Sequence, residues 1–74
     1  MVTTEDVLRV ARAADLPAAG SNLKADVPLV SQGFDSLDMA TLMLELERAY
    51  NQAIPPEKAA RLRTLDDIVA FLNR

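Results

Sequence analysis

The stretch from Gly33 to Tyr50 reads GFDSLDMATLMLELERAY, and it carries the clearest structural signal in the chain. A glycine opens it, and an amphipathic segment follows at once, which predicts a helix over about residues 36–50. At about 100° per residue, five apolar side chains of this helix share one sector. These side chains are predicted to form its core face: Leu42, Leu46, Met39, Tyr50 and Met43.

Ser36 stands at the start of this helix. The first backbone N–H groups of a helix lack intrahelical partners and the dipole is positive there, so a phosphate on the Ser36 hydroxyl would be stabilised. Asp35 and Asp38 flank the serine, and either can cap the helix. The plain alternative is that Ser36 and Asp35 serve only as caps. A serine nucleophile needs a base, usually histidine, and the chain has none, so we reject a hydrolase and interpret Ser36 as an attachment point.

A second apolar group lies on the other side of the same helix. Leu37, Ala40 and Leu44 fall there, between Thr41, Glu47 and Arg48. Several apolar side chains close to Ser36 on one helix indicate a docking surface for a partner. The alternative is that the preceding loop and the next helix cover these side chains.

The rest of the chain predicts three more helices in a single domain of residues 1–74. They are expected over about residues 4–15, 56–61 and 64–73, and the third is short. Thr3 or Thr4 can cap the first helix, and Thr64 with Asp67 forms a capping box for the last. No segment alternates with the period of a strand. The predicted fold is therefore all-α, a bundle of three main helices plus a short one.

A long connection joins the first two main helices, from Pro17 to Gly33. A loop of this length without structure is unusual in so small a domain, so we expect an ordered crossover. Its apolar residues are predicted to pin it across the core: Leu23, Val27, Leu29 and Val30.

Composition excludes several classes of function. The chain has 74 residues and a net charge of −3, which argues against nucleic acid as a partner. It has no cysteine, so it can form neither a disulfide nor a thiolate nucleophile. No apolar run is long enough to span a membrane, and the N-terminus does not read as a signal peptide. We expect a cytoplasmic, monomeric protein.

The chain resembles the acyl carrier protein family, which includes the peptidyl carrier domains of modular synthetases. The likeness rests on Gly33-Phe34-Asp35-Ser36-Leu37-Asp38 and on the apolar helix that follows it. It continues through Ile54-Pro55, which is similar to the family's Ile-Pro before its third helix. Thr64-Leu65-Asp66-Asp67-Ile68 is similar to the start of the family's last helix. The resemblance covers nearly the whole chain.

The resemblance implies a carrier and not an enzyme. Ser36, between Asp35 and Leu37, would hold 4′-phosphopantetheine, transferred from coenzyme A by a separate phosphopantetheinyl transferase. An acyl or aminoacyl group would ride on it as a thioester, supplied and processed by partner enzymes. Family members present the second helix to such partners. The implied interface is Asp35, Leu37, Asp38, Ala40, Leu44 and Glu47.

Three departures from the family pattern bear on the pathway. Ser31-Gln32-Gly33 stands where fatty-acid carriers usually have Asp-Leu-Gly, and residues 58–63 are basic where the family is often acidic. The second helix, with Thr41 and Arg48, is also less acidic than is usual in the family. All three favour a dedicated carrier of a polyketide, nonribosomal-peptide, cell-envelope or other specialised pathway over the housekeeping carrier of fatty-acid biosynthesis. The alternative function is a carrier-like interaction module that is never modified and works by docking alone.

Overall fold

The three longer helices of this protein begin where the sequence places capping residues. The computed structural model describes residues 1–20 and 22–74. It has helices α1 (Thr4–Ala13), α2 (Ser36–Tyr50), α3 (Pro56–Ala59) and α4 (Leu65–Leu72). The described residues contain no strand, which confirms the all-α prediction. No helix in this part of the chain is long and apolar enough to cross a membrane.

Each longer helix starts with a reciprocal cap. The side chains of Thr3, Asp35 and Thr64 each accept a backbone N–H from the aspartate three residues on. That aspartate, in turn, accepts the backbone N–H of the capping residue. Two unpartnered N–H groups are satisfied at each start. The capping box predicted at Thr64 is confirmed, and Thr3 is the cap of α1.

Helix α4 ends one residue before the predicted residue 73, and α1 and α3 each end two residues earlier than expected. α1 ends at Ala13, short of Asp15, because Asp15 adopts a left-handed φ of 60° and the chain turns towards Pro17. α3 ends at Ala59, short of residue 61, because the N–H groups of Arg61 and Leu62 bond to carbonyls only three residues back. Such bonds tighten the last turn and end the α-helix.

The core lies where α1 packs against both α2 and α4. Leu42, Met43 and Leu46 are buried, and Met39 and Tyr50 are partly buried against the same cluster, so the predicted core face of α2 is confirmed. Helices α1 and α4 and the segments between the helices contribute the remaining buried side chains: Val7, Ala11, Leu16, Ala19, Leu29, Phe34, Ile54, Leu62, Leu65, Ile68 and Leu72.

The long connection carries two 3₁₀ turns, Pro17–Gly20 and Leu29–Gln32. Leu29 is fully buried and Leu23 packs against the core, but Val30 is 61% exposed. The prediction that Val30 pins the loop is therefore wrong, since the turn that places Leu29 inward carries the next side chain outward. The predicted loop also includes residue 21, which lies outside the described residues.

The second half of the loop is bonded to the link between α3 and α4 and to the first turn of α4. The N–H of Leu29 donates to the carbonyl of Arg63 at 2.9 Å, and the N–H of Asp66 donates to the carbonyl of Ala25 at 3.1 Å. These backbone bonds bring the Leu29–Gln32 turn alongside residues 59–63. The start of α2 lies next to the same place.

Candidate functional site

The chain enters α2 through a fixed turn. Gly33 has a φ of 106°, a left-handed conformation that favours glycine, and a Cβ at this position would lie 3.3 Å from the Ala18 Cβ. The N–H of Phe34 then donates to the carbonyl of Leu29 at 3.1 Å, and the Phe34 side chain is buried. Anchored residues therefore stand directly before Asp35 and Ser36, and they fix where α2 begins.

Asp35, and not Ser36, caps α2. An oxygen of the Asp35 carboxylate accepts the N–H of Asp38 at 2.8 Å, and the Asp38 carboxylate accepts the N–H of Asp35 at 3.2 Å. Ser36 is the first residue of the helix itself. The interpretation of Asp35 as a cap is confirmed, whereas the plain alternative for Ser36, that its hydroxyl caps the helix, is not supported.

The Ser36 side chain is exposed, and its hydroxyl has no hydrogen-bond partner among the described residues. No hydrogen bond between the described residues uses its hydroxyl: the bonds at the helix start all belong to Asp35 and Asp38. A buried or bonded hydroxyl would have to give up its contacts before it could be modified. Ser36 is held in place by the backbone around it and is open to a modifying enzyme.

An apolar groove lies beside Ser36. It has a volume of about 460 Å³ and runs between the Leu29–Gln32 turn, α2 and the segment from Ala59 to Arg63. Its lining includes the apolar residues Pro28, Val30, Met39, Ala59, Ala60 and Leu62. The polar residues that line it are Ser31, Ser36 and Arg63. The hydroxyl at the start of α2 therefore borders a mostly apolar surface.

The predicted partner surface runs along α2 away from this groove. Leu37 is 73% exposed and Leu44 is 48% exposed, so neither the loop nor α3 covers them. Asp35 and Ala40 are also exposed, whereas Asp38 and Glu47 are half-buried. Asp35, Leu37 and Asp38 lie around Ser36, and Ala40, Leu44 and Glu47 follow on the later turns of the helix.

The groove, and the position of Arg63 in its lining, were not predicted from the sequence. The basic run from Lys58 to Arg63 was visible as a departure from the family pattern, but its position relative to Ser36 was not. That position depends on the backbone bond between Leu29 and Arg63, two residues far apart in the sequence.

Comparison with known proteins agrees with this arrangement. The model of a family described as "Phosphopantetheine attachment site" matches residues 6–72, which is most of the chain. The match includes the entry to α2, the groove and the last helix. No solved structure matches the chain.

Proposed function

We propose that Ser36 is the residue on which this chain, which belongs to the phosphopantetheine attachment-site family, carries its prosthetic group. Members of this family bind 4′-phosphopantetheine covalently, and the chain is a carrier protein of that general kind. We propose more specifically that it holds an acyl or aminoacyl group as a thioester and presents it to partner enzymes. The chain itself then catalyses no reaction.

One observation carries the choice of residue: Ser36 is exposed, makes no hydrogen bond to the described residues through its hydroxyl, and follows a rigid cap at the start of α2. Ser31 lines the same groove, but it lies within the Leu29–Gln32 turn and not at an α-helix start. Ser36 also stands within Asp35-Ser36-Leu37, the tripeptide at which the chain resembles carrier proteins. These features support Ser36 over Ser31.

The residues around Ser36 fit the prosthetic group. The hydroxyl is exposed and could form an ester, the adjacent groove would offer an apolar wall to a flexible arm, and Arg63, which lines the same groove, would supply a cation for the anionic phosphodiester. When bound, the group supplies the thiol that this cysteine-free chain lacks. The fit therefore involves the hydroxyl, the wall and the charge together.

The chain contributes a nucleophilic oxygen to its own modification, and the transferase supplies the rest. The Ser36 oxygen forms a bond to the phosphorus of coenzyme A that bears pantetheine, and the pyrophosphate P–O bond breaks. Adenosine 3′,5′-bisphosphate leaves, and the hydroxyl proton passes to a base. Since the chain contains no histidine, we assign that base to the transferase. Asp35 and Asp38 hold the serine in position through the cap.

The exposed face of α2 is the proposed partner surface. Leu37 and Leu44 supply apolar contact, and Asp35, Asp38 and Glu47 attract a basic partner surface. The phosphopantetheinyl transferase and the loading and processing enzymes would all use this face. Because Gln32 and the basic residues 58–63 depart from the pattern of fatty-acid carriers, we place the protein in a specialised pathway.

The loading assay separates this proposal from an unmodified interaction module. The purified protein is incubated with coenzyme A, magnesium and a broad-specificity phosphopantetheinyl transferase, and its intact mass is measured. We expect a gain of one phosphopantetheine for the wild type, none for Ser36→Ala, and full loading of Ser31→Ala, the matched serine on the same groove. A failure of the wild type to gain mass with this and other transferases, while folded, would favour the docking module.

A further inference from the structure

Among the described residues, Arg63 is the only charged one that lines the groove beside Ser36. The other lining residues are apolar or carry a hydroxyl. Arg63 and the Ser36 hydroxyl line the same mostly apolar groove, so an anion attached to Ser36 would lie in a groove that also holds a cation.

The backbone of Arg63 is held on both sides. Its carbonyl accepts the N–H of Leu29 at 2.9 Å, and its N–H donates to the Asp67 carboxylate at 3.2 Å. Residue 63 therefore keeps a fixed position beside the loop that forms one wall of the groove. The side chain extends from a rigid point.

The Arg63 side chain has no ionic partner among the described residues. In that part of the chain, Arg9, Arg12 and Arg48 each form a salt bridge with a carboxylate, and Arg74 stacks on Phe71. Arg63 forms no such bridge and is exposed. Its guanidinium group is available to an anion.

An anion on Ser36 would have unfavourable neighbours on the α2 side. Asp35 and Asp38 flank the serine, and the Asp35 carboxylate already accepts the N–H of Asp38 at 2.8 Å. The start of the helix is therefore partly neutralised before any phosphodiester arrives. A cation lining the same groove would offset this repulsion, and the planar guanidinium group of arginine is well suited to two phosphate oxygens.

We propose that Arg63 binds the phosphodiester that joins the prosthetic group to Ser36, and that it holds the first part of the arm against the groove. This inference rests on the proposed function of Ser36. Arg63 is a positioning residue: it neither makes nor breaks a bond. The interaction is exposed, so it weakens with salt, and a partner enzyme can release the arm by competing for either charge.

The test uses the loaded protein and its phosphorus NMR signal. Wild type, Arg63→Gln and Arg61→Gln are each loaded on Ser36, and loading and folding are checked by intact mass and circular dichroism. Arg61 is the matched control, because it is an exposed arginine of the same segment that does not line the groove. We expect the ³¹P resonance of Arg63→Gln to shift from that of the wild type at low salt, and that of Arg61→Gln to coincide with the wild type. High salt should move the wild-type resonance towards that of Arg63→Gln.

A second measurement needs no variant. The side-chain Nε–H resonance of Arg63 should move when the unmodified wild type is converted to the loaded form, and that of Arg61 should not. Loading without either response would overturn the role of Arg63 and leave the carrier function intact. Absence of loading would overturn both proposals, so the two failures are distinguishable.

Discussion

Gln32 organises the loop that leads to the candidate site. Its side-chain oxygen accepts the N–H of Lys24 at 2.7 Å, and its side-chain nitrogen donates to the carbonyls of Lys24 and Val27, both at 2.9 Å. One side chain thus closes residues 24–32 into a unit. Gln32 lies within the stretch where the sequence departs from fatty-acid carriers, and its three hydrogen bonds form a local clamp on the loop.

Replacing Gln32 should destabilise the fold. Gln32→Ala removes all three bonds and leaves one N–H and two carbonyls of the loop without this partner, so we expect a loss of about 1–3 kcal/mol in the free energy of unfolding. Denaturant unfolding measures it. Ser31→Ala, next to it in the chain, is the control and should change stability by less than about 0.5 kcal/mol. Equal effects of the two substitutions would show that the clamp contributes nothing.

The carboxylate of Asp6 leads to a prediction about how the stability of the fold depends on pH. The N–H of Thr3 donates to its carboxylate at 2.9 Å and lowers its pKa below the ordinary value, and the Thr3 hydroxyl and the Arg9 guanidinium group lower this pKa further. A carboxylate with a lowered pKa in the folded state stabilises the fold above its unfolded pKa. That stabilisation is lost as the pH falls through the lowered, folded-state pKa.

The comparison of wild type with Asp6→Asn isolates this effect. Unfolding is measured from neutral to acidic pH for both proteins. We expect the wild type to be the more stable at neutral pH, and the difference to shrink as the pH falls through the lowered pKa of Asp6. A difference that stays constant over this range would contradict the role of the charge.

At the scale of the element, α2 has two faces with different tasks. Leu46 is fully buried, whereas Leu37 is 73% exposed on the face that carries the proposed partner surface. The sequence separated these faces correctly because helical periodicity alone assigns each side chain to a sector. It could not decide whether the loop covered the second face, since this depends on where a distant segment packs.

Two leucine substitutions test the division. Leu46→Ala should cost roughly 2–5 kcal/mol of unfolding free energy, because it leaves a cavity in the core. Leu37→Ala, and equally Glu47→Lys, should leave denaturant unfolding nearly unchanged but slow loading by the transferase and turnover by partner enzymes. A loss of stability for Leu37→Ala comparable to that of Leu46→Ala would assign Leu37 to the core.

At the scale of the whole molecule, hydrogen bonds between Val2 and Asn73 join the two ends of the described chain, and we call this pair of bonds the clasp. The Asn73 side chain accepts the N–H of Val2 at 2.8 Å and donates to the Val2 carbonyl at 2.8 Å. Nearby, the Gln52 side chain donates to the carbonyl of Leu72 at 3.0 Å and accepts a bond from Arg74 at 2.8 Å. These bonds tie the start of the chain to α4, and α4 to the segment after α2.

Removing the clasp should loosen this end of the bundle. Asn73→Ala abolishes both bonds to Val2, and we expect a loss of about 0.5–1.5 kcal/mol in denaturant unfolding. Asn73→Asp is the matched variant: it keeps an acceptor for the N–H of Val2, but it replaces the donor to the Val2 carbonyl by a carboxylate oxygen and adds a negative charge at the C-terminal end of α4, so its loss should be at least as large. Wild-type stability for Asn73→Ala would contradict a contribution from the clasp.

Contacts between segments that are far apart in the chain could not be predicted from the sequence. The helix caps, the helical periodicity and Ser36 are local features. The sequence shows them within a few residues of Asp35 or Thr64. The groove is not local, because it forms only when the Leu29–Gln32 turn bonds to residue 63. Arg63 was therefore visible in the sequence as a basic residue, but its position beside Ser36 depended on the fold.

Fragment mass spectrometry of the protein purified from its native host can show whether Ser36 carries the prosthetic group. Proteolysis and sequencing of the modified peptide assign the added mass to a single side chain. We expect one phosphopantetheine, with or without an acyl or aminoacyl group, on Ser36. A phosphopantetheine on Ser31 or another residue, or a protein that is wholly unmodified in its host, would contradict it.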